Sequence, residues 1–206
     1  MFTGISEYSD LLSAYEEESM RFLNVKSLTK RDTLVGRGDA KRDFALFEEA
    51  VTGGTAGETI IWDWSGVKIT TASYFAGTCI LLFKRTLSGE LDKFFVLFGM
   101  NENSLEELKL ILNAEGLVML VADRVHRGKI ESAYPLGELE DPYRETFAKT
   151  ISKHPVSAST LHRKSTSGDG PRIGKTAWIN RLTNLNRVRL LRRTKVGREF
   201  VYEVPF

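Results

Sequence analysis

The 206-residue chain has one cysteine, Cys79, so an internal disulfide is excluded. Its three histidines, His126, His154 and His162, are spread along the chain, and with a single thiol beside them no cluster has zinc-site spacing. No apolar run approaches the roughly 18 residues that span a bilayer. The longest, Tyr74 to Phe83, is interrupted by Gly77 and Thr78. The start, Met1-Phe2-Thr3-Gly4, lacks the basic and then apolar segments of a secretory signal. A cytoplasmic protein without a metal or other cofactor is expected from these absences.

What is present can form a core, because 42% of residues are hydrophobic. The formal charge of +2 conceals a division. Residues 1–140 carry 15 Lys/Arg against 22 Asp/Glu, net −7, and residues 141–206 carry 14 against 5, net +9. A segment with that excess attracts polyanions, which the acidic segment repels. Leu139 to Pro142 is acidic and ends in Asp-Pro, a turn signal ahead of a new helical pattern. Two domains are expected, 1–140 and 141–206.

In the acidic part, Ile5, Tyr8, Leu12, Tyr15 and Phe22 recur at near-helical spacing with Glu16, Glu17 and Glu18 between them, which predicts an amphipathic helix over 5–23. A short strand is expected over 33–35 and a helix over 39–51, broken by Gly53-Gly54. Strands are then expected over 58–63, 93–98 and 117–121, alternating with helices over 73–86 and 103–113. Asn103 or Ser104 suits the cap of the last helix, and Gly116 follows its end. This alternation defines an α/β domain with a largely parallel sheet covered by helices. Asp63, at a strand end, has no His, Lys or second carboxylate at an interpretable spacing, so no enzyme chemistry is expected.

The segment from Ile60 to Gly77, with Asp63-Trp64-Ser65-Gly66-Val67 followed by Ser73-Tyr74, resembles the central strand, turn and helix start of STAS domains, the fold of bacterial anti-sigma-factor antagonists. The closer likeness is to a STAS-like branch of unknown function, and it covers roughly residues 33–123. In the phosphorylated antagonists a serine at this helix start is modified by a partner kinase. Here that position falls on Ala72, leaving Ser73 as the nearest hydroxyl, either a regulatory residue or simply a helix cap.

In the basic part, Tyr143, Phe147 and Ile151 are four apart, which predicts a first helix. Ser157 or Ser159 can cap a short second helix through Leu161 to Lys164, with a mobile loop beyond it, and Lys175 to Asn186 forms a third. On that third helix Trp178, Leu182 and Leu185 share one face, which makes Trp178 a core residue rather than a base-stacking one. Thr176, Asn180, Thr183, Asn184 and Arg187 lie opposite. Phe200, Tyr202 and Val204 then alternate strictly, which reads as a terminal β-hairpin with a basic tip. Three helices and a hairpin resemble a bacterial winged helix-turn-helix domain over roughly 141–206. Arg181-Leu182 to Leu185, then Leu190-Leu191-Arg192-Arg193, resembles its recognition helix and first wing strand, although such domains carry Gly where this chain has Arg189.

The expected base-reading residues are Thr176, Asn180, Asn184 and Arg187, since Asn and Arg can make bidentate contacts with adenine and guanine. Lys175, Arg192, Arg193, Lys195 and Arg198 are the expected phosphate contacts. The sequence Gly168 to Thr176 imitates a P-loop, but the glycine needed six residues before Lys175 is replaced by Asp169, and the preceding stretch does not read as a buried strand. The leading expectation is a bacterial transcription regulator that binds double-stranded DNA, as a homodimer by the half-site logic of helix-turn-helix proteins, with a STAS-like domain that senses a signal or protein partner. The rival is a partner-switching adaptor whose winged helix docks protein without direct DNA binding.

Overall fold

The computed structural model describes residues 20–152, 155–166 and 172–206. The chain begins there with a strand, β1 (Met20–Asn24), and a short helix, α1 (Val25–Thr29). Residues 5–19 of the expected N-terminal helix lie outside the described residues, but its last residues are corrected: Met20 to Leu23 are strand. They run parallel to β3 (Glu58–Asp63), with Met20 opposite Thr59 and Asn24 opposite Asp63. Phe22 and Leu23 fit either period, and the neighbouring strand supplies the backbone partners that decide between them. Asn24 then turns the chain, its Oδ1 accepting from Ser27 N at 2.8 Å and its Nδ2 donating to Asp63 Oδ2 at 2.8 Å.

The elements that follow are β2 (Thr33–Leu34), α2 (Gly36–Thr52), β3, β4 (Ile69–Thr70), α3 (Ala72–Gly77), α4 (Cys79–Leu87), β5 (Lys93–Phe98), α5 (Glu102–Glu115), β6 (Val118–His126) and β7 (Lys129–Gly137). The main sheet has the order β1-β3-β5-β6-β7, while β2 and β4 pair in parallel beside it as a separate ladder. Both β1 and β5 run parallel to β3. The first five residues of β3 and of β5 are buried without alternation, the signature of parallel strands covered on both faces. Their aromatic residues join those of the flanking helices. Phe47 stacks on Trp62 with ring centroids 4.8 Å apart, Trp62 meets Phe95 edge-on at 6.0 Å, and Trp64 packs on Phe75 at 4.9 Å.

Three details depart from the sequence expectation. The helix expected over 73–86 is two helices, because Thr78 leaves helical geometry (φ −128°, ψ −100°) while its Oγ1 donates to Tyr74 O at 2.8 Å. Beside the break α2 and α3 approach so closely that a Cβ on Gly77 would lie 2.6 Å from the Cβ of Ala40. Asn101, not Asn103 or Ser104, caps α5, its Oδ1 accepting from Ser104 N at 2.9 Å. The strand expected over 117–121 continues to His126 and returns as β7 through Arg127 (φ 48°) and Gly128 (φ 76°), the left-handed pair of a two-residue hairpin turn.

One end of the parallel ladder encloses charge. Lys93 Nζ, on a 4% exposed side chain, donates to the carbonyls of Gly53 and Thr55 and pairs with Glu58 Oε2 at 2.8 Å. Arg21 Nε reaches Glu58 Oε1 at 3.0 Å. Three of the protein's charged groups are thereby satisfied where the chain turns into β3.

The C-terminal elements are α6 (Asp141–Ile151), β8 (Val156–Ser157), α7 (Ala158–Thr166), α8 (Lys175–Arg187), β9 (Arg192–Val196) and β10 (Glu199–Glu203). The strands form an antiparallel sheet in the order β8-β10-β9. The three helices bury Phe147, Leu161, Trp178, Leu182 and Leu185, and Leu190, Leu191 and Tyr202 close this small core. By their internal packing the described residues divide into two compact units: those within 20–111 and 121–133 with Phe206 in one, and those within 112–120 and 134–205 in the other. The whole is thus mixed α/β, a mainly parallel sheet flanked by helices plus a small antiparallel sheet near the C-terminus. Among the described residues no helix is long and apolar enough to cross a membrane.

Candidate nucleic-acid interface

Helix α8 has a buried side and an open one. Trp178, Leu182 and Leu185 face inward, and two cations approach the Trp178 ring, with Lys149 Nζ 5.1 Å and the Arg181 guanidinium 5.4 Å from its centroid. Its indole is 1% exposed, so it is a core side chain and offers no surface for base stacking. Thr176, Asn180, Thr183 and Arg187 follow one another at four-, three- and four-residue steps and form one stripe. Thr176, Asn180 and Arg187 are exposed, and Thr183 is half-buried with its hydroxyl 3.3 Å from that of Tyr202. Lys175 and Ile179 flank the stripe, both exposed.

Asn184 does not join it. Its side chain is turned to the helix edge, where Nδ2 donates to the Tyr143 hydroxyl at 2.8 Å. Asn184 stands 100°, a little over a quarter turn, from Thr183 on the helical wheel, at the edge of the polar side and within reach of α6. Thus the geometry removes Asn184 from the set of exposed base-edge donors that the sequence suggests.

The hairpin carries the remaining cations. Arg193, Lys195 and Arg198 are exposed, and Arg192 is half-buried at the start of β9. Arg193 lies over the ring of Phe200, with 4.4 Å from the guanidinium carbon to the centroid. Gly197 (φ 60°) and Arg198 make the turn, in register with Val196 opposite Glu199. The hairpin is anchored by β8, whose two residues are too short a run to show as a strand pattern: Val156 pairs with Tyr202 and Ser157 with Val201. Ser157 also caps α7, its Oγ accepting from Thr160 N at 3.2 Å.

Helix α8 ends at a residue the sequence flags as unusual. Arg189 adopts left-handed geometry (φ 61°), Arg189 N donates to Asn186 O at 3.0 Å and Leu190 N to Leu185 O at 2.9 Å. An arginine therefore occupies the backbone state that glycine adopts without strain. The P-loop imitation gains nothing from the structure. Gly168 to Pro171 lie outside the described residues, Lys175 opens a helix, and the preceding element is helix α7 rather than a strand.

Ser73 lies within the first turn of α3. It does not cap the helix, whose capping position is Thr71; its Oγ instead sits 3.2 Å from the Thr71 hydroxyl. The helix start is served from a distance by Glu107, whose Oε2 accepts from Ala72 N at 2.6 Å. A carboxylate thus already occupies the end of the helix that favours negative charge, and a phosphoryl group on Ser73 would meet like charge there.

No protein-family model, curated protein or solved structure matches this chain.

Proposed function

We propose that the protein is a DNA-binding transcription regulator in which α6, α7, α8 and the β9–β10 hairpin act as a winged helix-turn-helix domain. The observation that carries this reading is the exposed Thr176-Asn180-Arg187 stripe on α8 beside a hairpin bearing Arg193, Lys195 and Arg198. Helix α8 would lie in the major groove, where Asn180 can bridge adenine N6 and N7, Arg187 can bridge guanine O6 and N7, and Thr176 can meet a thymine methyl. The hairpin cations would contact phosphates, setting register and most of the affinity without reading sequence. The N-terminal α/β domain, STAS-like in its element order, would receive the controlling signal or protein partner, and a homodimer would supply two recognition helices to a paired site.

Selection of bound duplexes from a randomised library tests this. The full chain is expected to enrich a short motif, and Asn180→Ala to lose preference at one position of it with a penalty of about 1–3 kcal/mol there. No enrichment would contradict the reading.

One observation favours a second reading, a protein-docking adaptor. Ile179 on α8 and Phe200 on β10 are 43% and 44% exposed on the same surface, more apolar area than phosphate contacts require. Loss of a co-purifying protein on Ile179→Asp, with no DNA binding by the parent chain, would support it.

A further inference from the structure

The cations of the proposed interface do not stand alone. A groove of about 210 Å³ opens between the start of α7, the start of α8 and β10. Lys175, Arg198, Ile179 and Tyr202 are among the residues that line it. Among the described residues that line it, Glu199 is the one acidic side chain. Its Oε1 accepts a short hydrogen bond from Ser159 Oγ and faces Lys175 Nζ at 3.9 Å. The hydroxyls of Ser159 and then Ser157, opposed by desolvation and aided by the charge of Lys175, hold this carboxyl below its ordinary range. It is ionised at neutral pH.

A surface ion pair at this separation contributes little to folding, since both side chains are about half exposed, 53% for Lys175 and 49% for Glu199. Its effect on an arriving polyanion is larger. Lys175 can meet a phosphate only in competition with the carboxylate, and the carboxylate repels that phosphate at short range. Ser159, held by Glu199, is withdrawn from phosphate contact in the same way.

We propose that Glu199 is a built-in competitor for a backbone phosphate of double-stranded DNA at Lys175 and Ser159, so that it sets the protein's affinity for duplexes of every sequence. The proposal rests on the DNA-binding reading above. Such a residue limits the sequence-independent binding that phosphate contacts alone would give, a repulsive element that complements the attractive ones. Lys175 is then an affinity residue whose contribution is partly cancelled in the free protein.

Fluorescence anisotropy with the full chain and an arbitrary duplex, across a salt series, tests it. Glu199→Gln is expected to bind about threefold to tenfold more tightly at about 0.1 M salt, with a log–log salt slope steeper by about 0.9. Glu199→Ala should move in the same direction, which separates loss of charge from the particular shape of Gln. Lys175→Gln should weaken the Glu199→Gln protein by a larger factor than it weakens the parent. Unchanged or weaker binding by both Glu199 variants would overturn the proposal, as would equal effects of Lys175→Gln in the two backgrounds. If neither parent nor variants bind any duplex at low salt, the DNA-binding reading itself falls and the proposal falls with it.

Discussion

The amide of Asn184 donates to the hydroxyl of Tyr143 at 2.8 Å and ties α8 to α6. Two asparagines four residues apart on one helix therefore have different tasks: Asn180 is exposed and Asn184 is engaged within the fold. Replacing Asn184 with Ala should lower stability by about 1 kcal/mol, measured by urea unfolding, and leave sequence preference unchanged. Tyr143→Phe should produce most of the same loss, and the double variant little more. Asn180→Ala should show the opposite pattern, with stability retained and preference relaxed. A change of preference in the Asn184 variant would contradict the geometry.

Arg189 provides a test of backbone strain. Its left-handed φ of 61° ends α8, so the residue that replaces it matters through the backbone as well as the side chain. Arg189→Gly and Arg189→Ala delete the same side-chain contacts, and the Gly variant should be the more stable by about 1 kcal/mol because only Gly occupies this region without steric penalty. Comparison of the two unfolding midpoints checks this. Equal stability would mean that the helix end does not hold this conformation in solution.

The Glu58 carboxylate makes stability depend on pH. Burial pushes its pKa up, but hydrogen bonds and charge from Lys93 and Arg21 outweigh burial and leave it below the ordinary glutamate value. A carboxyl depressed by folding stabilises the protein above its unfolded pKa, and that contribution is lost as pH falls through the lower folded pKa. The stability gap between parent and Glu58→Gln should thus be full at neutral pH and narrow below about pH 4.5. Lys93→Met should be more damaging, about 3 kcal/mol at neutral pH, because it leaves Glu58 buried with Arg21 as its remaining cation. Denaturant unfolding at a series of pH values measures both.

Much of the architecture was legible because period and punctuation agree. The buried runs Glu58 to Asp63 and Lys93 to Phe98 have no alternation, lie between helical patterns and became adjacent parallel strands. Phe200 and Tyr202 alternate and formed the hairpin's second strand. What was not legible depended on partners distant in sequence. Met20 to Asn24 became strand because β3 lies beside it, the β6–β7 hairpin extended past a polar stretch from Asp123 to Ser132, and the two residues of β8 are defined by Tyr202 and Val201. Within the candidate interface, helical spacing alone gave Thr176, Asn180 and Arg187 their shared face, whereas the capture of Asn184 by Tyr143 and of Lys175 by Glu199 joins residues 41 and 24 positions apart. Opposite charge at Lys175 and Glu199 was visible, but their proximity required the strand register.

Fluorescence anisotropy of the full chain with a duplex across a salt series, beside a Lys195→Gln/Arg198→Gln variant, tests whether α8 and the β9–β10 hairpin bind double-stranded DNA. Binding is expected to weaken steeply with salt, and the variant to bind all sequences more weakly with a slope shallower by about 1.8, two phosphate contacts at about 0.9 each. Absence of binding at low salt, or a variant that matches the parent in affinity and slope, would contradict the account.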